Sequence, residues 1–181
     1  MIVDGRDPAL LEQAHGRLWE LIPPDSHVLA TLVCWVRARC LRWPISPLAA
    51  LRELFEIYPV ASLGLIQEVL PLLRAANDGG RVVLISSDAA VEGYPGWGGY
   101  GAAKAAQDEL ANVLAVEEPA LRVWAVDPGD MRTEMHQAAF PGEDISDRPL
   151  PEVVVPRLIE LFESRRPSGR IRGAELAEPG M

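Results

Sequence analysis

The sequence predicts one α/β domain built around a parallel β-sheet, and three observations carry this prediction. Apolar stretches of strand length alternate along the chain with longer segments of helical periodicity, which is the pattern of βαβ units. Residues 82–85 are apolar at every position, as expected for a strand that a parallel sheet buries on both faces. The 181 residues suffice for a hydrophobic core, and we predict a single domain over residues 1–181.

The first part of the chain predicts two strands with a helix between them. Ile2 and Val3 precede a polar turn and are typical of the end of a strand. Apolar residues then recur at helical spacing over 10–21, and residues 27–31 predict the second strand. Residues 32–46 mix apolar residues with arginines and tryptophans and fit neither a strand period nor a helix period. We predict an irregular segment there.

The second part of the chain continues the alternation of helices and strands. Its predicted elements are helix 47–75, strand 81–86, helix 99–116, strand 121–126, a long polar loop over 134–150, helix 151–164 and a short strand at 169–173. Pro59 lies inside the first of these helices and is expected to kink or split it, because proline lacks a backbone N–H. Ligands of parallel sheets bind at the carboxyl ends of the strands. Ser87, Pro128 and Gly129 follow strand ends and are therefore expected at one rim.

Composition argues against several classes of partner. The formal net charge of −9 argues against nucleic acid and against anionic membrane surfaces. Cys34 and Cys40 do not make a disulfide framework, and no further histidine or cysteine near them completes a metal site. The longest apolar run, 27–36, is about half of the ~20 residues that a membrane helix needs. We expect no secretion signal, no metal site and a cytoplasmic location.

The chemistry-bearing residues concentrate between 79 and 104. A strand ends at Ser86 and Ser87, a loop rich in glycine, proline and aromatic residues follows, and a helix then carries Tyr100 and Lys104. Residues four positions apart lie on the same face of a helix. A phenol and an ammonium group are therefore expected to point the same way, close to a serine hydroxyl.

This pattern resembles the short-chain dehydrogenases/reductases. A serine stands thirteen residues before Tyr100, Lys104 stands four residues after it, and Pro128 and Gly129 follow about two dozen residues later. The resemblance is clear over residues 48–173 and weaker over 1–22. It implies a Rossmann-like, doubly wound parallel sheet. It also implies an oxidoreductase that transfers hydride between NAD(P)(H) and a carbonyl or secondary alcohol of a small-molecule substrate.

The resemblance also implies a role for each matching residue. Tyr100 would be the general acid/base, and the nearby Lys104 would lower the phenol's pKa from its usual value of about 10. Lys104 would also hold the hydroxyls of the nicotinamide ribose, while Ser87 would hydrogen-bond the substrate oxygen. Pro128 and Gly129 would pack beside the nicotinamide, and Thr133 would bond its carboxamide.

The sequence indicates the cofactor and the substrate pocket through individual residues and not through a defined motif. An acidic residue at the end of the second strand of the family sheet, here Asp4, favours NAD, whereas a nearby arginine, here Arg6, favours NADP. The Gly-Arg pair favours NADP, although a plain turn is an alternative interpretation. Tyr94, Trp97 and the loop over 134–150 are expected to shape the substrate pocket.

The sequence also departs from the family pattern. The glycine-rich TGxxxGxG turn that follows the first strand is absent from these residues, so we expect an N-terminally truncated or degraded member, a partial sheet that lacks the first strand. Strands two and three of the family order would then lack a parallel neighbour. Tyr58 stands at or next to the position of the family's catalytic asparagine.

The alternative function is a catalytically inactive remnant that dimerises or binds a partner. A chain that does not fold stably alone is a third interpretation. In either functional case we expect a homo-oligomer through helices 47–75 and 99–116.

Overall fold

The computed structural model describes residues 29–32 and 48–177, and these form a parallel sheet with helices packed on it. The strands are β1 (Leu29–Leu32), β2 (Arg81–Ile85), β3 (Arg122–Asp127) and β4 (Gly169–Arg172). They are hydrogen-bonded in the order β1-β2-β3-β4, and every neighbouring pair is parallel. The predicted α/β class is confirmed.

Five α-helices occur among the described residues. They are α1 (Leu48–Phe55), α2 (Ala61–Ala75), α3 (Gly98–Glu117), α4 (Glu134–Ala139) and α5 (Pro151–Glu163). A π-helical turn, Glu56–Val60, joins α1 to α2 and contains Pro59. The predicted effect of this proline is confirmed, because the widened turn accommodates the missing backbone donor between two α-helices.

Alternate residues of the central strands enter two separate cores, as the two-residue period of a strand requires. Val82, Leu84 and Val123 pack with Ile66 and Leu73 of α2 on one face. The other face buries the residues Val83, Trp124, Val126, Leu161, Ile171 and Leu176, so α5 and β4 complete this second core. Burial on both faces explains why residues 82–85 are apolar without interruption.

The helical stretch over 48–75 needs a separate comment because of its composition. Leu48–Ala75 has 28 residues and contains an 18-residue stretch with a mean hydropathy of 1.2, so by length and composition it is apolar enough to cross a membrane. Its apolar residues Ile66, Val69 and Leu73 are buried against the sheet. Packing against the sheet therefore explains part of the apolar composition, and 33% of the most apolar 18-residue stretch is buried.

The strand predicted at 27–31 is found at Leu29–Leu32, where Thr31 pairs in parallel with Val83 of β2. One expectation about the second part of the chain is wrong. The stretch 134–150 is not loop throughout, since α4 occupies its first six residues. The Thr133 hydroxyl accepts a hydrogen bond from the His136 N–H at 3.1 Å and caps this helix, a preference that a polarity pattern does not reveal.

Several predictions from the first part of the chain lie outside the described residues. They are the strand end at Ile2 and Val3, the helix over 10–21 and, apart from Leu32 in β1, the irregular segment over 32–46.

Candidate active site

The pairing of β2 with β3 brings the predicted site residues to one rim. Ile85 pairs with Val126, and the Ser86 N–H donates to the Val126 carbonyl at 2.6 Å. The two strands therefore end side by side, with Ser87 leaving one and Pro128 leaving the other. This rim is the carboxyl edge of the sheet, where parallel sheets bind their ligands.

Ser87 is held beside α3 by a close approach of two backbones. Its hydroxyl caps the 3-10 helix Asp88–Ala90 by accepting from the Ala89 N–H at 3.2 Å, and it lies 2.9 Å from Asp88 Oδ1. A Cβ on Gly101 of α3 would overlap with the Ala89 carbonyl oxygen. Glycine at 101 thus lets the 3-10 helix lie against α3, one residue from Tyr100.

Tyr100 is buried among aromatic rings and hydrogen-bonded to Ser87. Its ring meets Tyr58 edge-on at 5.5 Å and Trp97 at 5.6 Å between centroids. Burial raises the pKa of Tyr100 to about 12, the Ser87 hydrogen bond opposes this rise, and the charges of Asp88 and Asp127 add to it. The phenol is therefore neutral near pH 7.

The expectation that Lys104 lowers the pKa of Tyr100 is wrong for this arrangement. Lys104 Nζ donates to the Ile85 carbonyl at 2.6 Å and to Gln107 Oε1 at 3.1 Å. It lies 4.0 Å from the centroid of the Tyr58 ring but 5.9 Å from that of Tyr100. The ammonium is thus positioned over Tyr58, and burial is the largest influence on the pKa of the Tyr100 phenol.

Gln107 extends this arrangement into the neighbouring helix. Its Nε2 donates to Ser62 Oγ of α2 at 2.7 Å, and both side chains are fully buried. Together with the bonds of Lys104, this contact joins β2, α3 and α2 around one ammonium group. Tyr58, at or next to the family's asparagine position, supplies an aromatic face to the same group. The sequence did not single out Gln107 or Ser62, because neither belongs to the recognised motif.

The turn after β3 presents its backbone to the rim. Asp127 Oδ1 accepts from the Gly129 N–H at 3.0 Å, and burial raises the pKa of this carboxyl while that hydrogen bond opposes the rise. Gly129 has a φ of +76°, and no atom lies within 4 Å of where its Cβ would be. A flat ligand can therefore approach the backbone of Gly129 closely.

Aromatic side chains connect α4, the helix that Thr133 caps, to the site. His136 of α4 contacts Phe140 at 4.9 Å between ring centroids, and Phe140 stacks on Trp97 at 5.6 Å. Trp97 in turn contacts Tyr100, so a continuous series of rings joins α4 to the buried phenol. A cavity of about 430 Å³ lies beside α4, lined by Arg132, Thr133, Glu134, Gln137, Glu143, Asp144, Ile145 and Ser146. Of the predicted site residues it includes Thr133.

Tyr94 faces the loop in which it lies. Its hydroxyl is 2.8 Å from Asp88 Oδ2 and 2.9 Å from Glu92 Oε2, and these two carboxylates raise the pKa of Tyr94. The side chain is largely accessible. Its predicted place in the wall of the substrate pocket stays a prediction, and the predicted cofactor residues Asp4 and Arg6 lie outside the described residues.

Arg170 of β4 joins the site from the far end of the chain. It donates to the Ser87 carbonyl at 2.9 Å and to Asp108 Oδ2 of α3 at 3.0 Å, and it lies 3.7 Å from Asp127 Oδ2. Asp108 stands four residues after Lys104 and eight after Tyr100, on the same helix face. That spacing was the one signal in the sequence that could have identified Asp108.

Residues 46–144 match the family of short chain dehydrogenases, a span of more than half of the chain. The chain belongs to the short-chain dehydrogenase family. The recognition based on Ser87, Tyr100 and Lys104 is confirmed, and the matched span contains all three residues.

Similar proteins of the short-chain dehydrogenase family are longer than this chain. The oxidoreductase YciK of Escherichia coli is 36% identical over 121 residues, which are 65% of this chain and 48% of YciK. Rat sepiapterin reductase is 53% identical over 58 residues, 32% of this chain and 22% of that enzyme. A short-chain dehydrogenase of Shigella flexneri solved with NADP has a TM-score of 0.79 at 28% identity, covering 91% of this chain and 69% of that one. The chain thus spans about half the length, or less, of these two curated relatives.

Proposed function

We propose that this short-chain dehydrogenase reduces a carbonyl group of a small-molecule substrate, using NADPH in preference to NADH. The observation that carries the proposal is the buried, neutral phenol of Tyr100, hydrogen-bonded to Ser87 at the carboxyl edge of the sheet. A phenol with a pKa of about 12 keeps its proton near pH 7 and can donate it. Oxidation of an alcohol would need the phenolate, which burial disfavours.

The proton and the hydride reach opposite ends of the carbonyl bond. A reduced nicotinamide, when bound, supplies the hydride to the carbonyl carbon. Ser87 donates a hydrogen bond to the carbonyl oxygen and stabilises the negative charge that develops there. Tyr100 then gives its proton to that oxygen, which yields the alcohol and leaves a phenolate. Solvent protons restore the phenol between turnovers.

The residues that would hold the nicotinamide end of the cofactor fit that task. Gly129 offers an open backbone to a flat ring, Lys104 places an ammonium at the end of β2, and Pro128 and Thr133 flank the same rim. The NADP complex of the similar Shigella flexneri enzyme supports NADP(H) as the cofactor. Asp4 and Arg6 remain the proposed contacts to the adenosine ribose.

The substrate pocket is proposed to lie where Trp97 and Phe140 stack beside Tyr100. Trp97 touches the acid/base residue directly, and α4 with the loop that follows it, residues 134–150, closes the outer side. Tyr94 is proposed as part of the same wall. The similarity to sepiapterin reductase supports a carbonyl compound as the substrate.

We also propose that the chain forms a homo-oligomer through the helices 48–75 and 98–117. Leu63 on α2 and Val113 and Val116 on α3 are apolar and exposed, which supports a contact between copies there. Among the described residues, no observation favours the alternative of a catalytically inactive module. A cytoplasmic location stays a prediction from the sequence.

Substitution of Tyr100 by phenylalanine tests the proposed function. In Tyr100→Phe, the removal of the proton donor is expected to lower kcat for ketone reduction by roughly 10²- to 10⁴-fold, without weakening NADPH binding. Reduction is followed by the loss of NADPH absorbance with a panel of aromatic and aliphatic ketones. Binding is followed by NADPH fluorescence.

Tyr94→Phe is the matched control for the loss of a phenol hydroxyl: it is expected to retain NADPH binding and most of kcat, and its proposed place in the pocket wall would affect only the KM for the ketone. Wild-type turnover in the Tyr100→Phe variant would overturn the assignment of the proton donor. Failure of the wild-type chain to bind NADPH at millimolar concentration would overturn the proposed function itself.

A further inference from the structure

We propose that Arg170 is a positioning residue that fixes the Ser87 segment against the helix face carrying Tyr100 and Lys104. The inference rests on the proposed function for its kinetic consequences, while its geometric basis is independent. Arg170 lies on β4, the last strand of the described sheet, where it pairs in register with Ala125. Neither the motif nor any matched family residue points to it.

One guanidinium contacts three elements of the site. Nη2 donates to the Ser87 carbonyl at 2.9 Å, Nε donates to Asp108 Oδ2 at 3.0 Å, and Nη2 lies 3.7 Å from Asp127 Oδ2. The planar fork of an arginine can bridge such partners at fixed angles, which a single ammonium cannot do. The Ser87 segment, α3 and the turn that contains Gly129 are thereby joined.

The carboxylate partners hold the guanidinium in place. The side chains of Asp108 and Asp127 are 15% and 11% exposed, and Arg170 is 24% exposed, so water screens these contacts only partly. Among the described residues, Asp108 Oδ1 is buried without a hydrogen-bond partner. The neighbouring guanidinium is thus the group that compensates this buried carboxylate, and the pair orients the donor that reaches Ser87.

The Ser87 carbonyl is the point where this contact affects chemistry. The same carbonyl accepts from the Ala90 N–H at 3.0 Å, so it anchors the 3-10 helix Asp88–Ala90. The Ser87 hydroxyl caps that helix and faces Tyr100. Loss of the arginine would let this segment move away from α3, and a displacement near 1 Å at a reacting group can cost about 100-fold in rate.

Hydrogen exchange and steady-state kinetics of Arg170→Lys test the inference. The lysine keeps the positive charge between the two carboxylates but loses the fork. We expect faster amide exchange at Ala90 and Val91, unchanged exchange in the middle of α3 and a melting temperature within about 4 °C of wild type. We expect kcat to fall roughly 10- to 100-fold with little change in the KM for NADPH.

Arg172→Lys is the matched control, because Arg172 lies on the same strand with a 70% exposed side chain and pairs only with Glu175 among the described contacts. Asp108→Ala is a second variant, and it is expected to speed exchange at Ala90 and Val91 in the same way by releasing the guanidinium. Uniformly faster exchange across α3 in Arg170→Lys would show a purely structural role and overturn the inference. Wild-type exchange at Ala90 and Val91 would overturn it too.

The two proposals fail separately. If the wild-type chain reduces no ketone but Arg170→Lys loosens only the Ser87 segment, the positioning role stands and the proposed function is wrong. If the wild-type chain is active and Arg170→Lys matches it in kcat and in exchange, the proposed function stands and the positioning role is wrong.

Discussion

Two parts of the candidate site are held in different ways. The inner part, formed by Ser87, Tyr100, Lys104 and Gln107, is fixed by contacts between residues far apart in the chain. Lys104 bonds Ile85, Gln107 bonds Ser62 and Arg170 bonds Ser87, with sequence separations of 19, 45 and 83 residues. The whole fold therefore determines the position of these groups.

The outer loops, residues 91–97 and 129–150, are held mainly by their own neighbours. The Tyr94 hydroxyl contacts Asp88 and Glu92, and Gln137 donates to the carbonyls of Phe140 and Glu143. The two loops meet each other where Trp97 stacks on Phe140. In such a site the groups that transfer the proton are held rigidly. Residues of the substrate-facing wall can be substituted without loss of the fold.

The largest expected difference between the inner part and the outer loops is in the effect of replacing a glycine by alanine. Gly101→Ala places a methyl group against the Ala89 carbonyl, a backbone atom that cannot move without the Ser87 segment. We expect a loss of about 1–3 kcal/mol in the free energy of unfolding, despite the better helix propensity of alanine, together with a lower kcat. Urea denaturation and ketone reduction measure the two effects.

Gly93→Ala is the partner substitution in the outer loops, where no atom lies within 4 Å of the new Cβ. The free energy of unfolding is expected to change by less than about 0.5 kcal/mol. An equal loss at both glycines would contradict the distinction between the inner part and the outer loops.

The next difference concerns two glutamines. Gln107→Leu keeps the size of the side chain but removes two polar groups from the core: the oxygen that accepts from Lys104 and the N–H that donates to Ser62. Burial of polar groups that have lost a partner is expected to cost about 2 kcal/mol in the free energy of unfolding. The KM for NADPH is expected to rise, because the ammonium at the end of β2 loses one of its supports.

Gln137→Leu, in the outer loops, is the comparison. Its side chain is exposed, and its two acceptors are carbonyls that water can also reach, so a change within about 0.5 kcal/mol is expected in urea denaturation. A larger loss at Gln137 than at Gln107 would show that the outer loops, and not the inner part, carry the stability of the site.

The inner and outer parts also differ in how far the sequence could predict them. The uninterrupted apolar run at 82–85 predicted a buried strand, and the spacing of Ser87, Tyr100 and Lys104 predicted the family. These are local patterns, because each lies within a short stretch of the sequence. The contact between Arg170 and Ser87 depends on the strand order β2-β3-β4, so no local pattern could have predicted it.

Two errors have physical causes of the same kind. The pKa of Tyr100 was expected to fall because Lys104 is nearby on the helix, but the Ile85 carbonyl and Gln107 hold the ammonium over Tyr58, and burial dominates. The helix α4 was missed because a single cap at Thr133 starts six residues that look polar and irregular. Burial and capping geometry follow from the assembled fold, whereas composition reflects them poorly.

The smallest expected difference is in how Tyr100 and Tyr94 affect the free energy of unfolding at alkaline pH. The folded chain raises the pKa of Tyr100 to about 12 from an unfolded value of about 10, so the stability linked to this phenol is complete below pH 10 and is lost as the pH rises toward 12. At pH 11 the loss relative to pH 9 is expected to be about 1.4 kcal/mol in the free energy of unfolding. Tyr100→Phe is expected to lack this component in urea denaturation at the two pH values.

Tyr94→Phe distinguishes this effect from general alkaline unfolding. The pKa of Tyr94 is also raised, by its contacts with Asp88 and Glu92, but its hydroxyl lies at an accessible surface where solvent screens the interaction. The Tyr94→Phe variant is therefore expected to keep most of the alkaline loss seen in the wild type. If instead Tyr94→Phe abolished the loss and Tyr100→Phe kept it, the inner phenol would not be the desolvated group, and the argument for proton donation by Tyr100 would lose its basis.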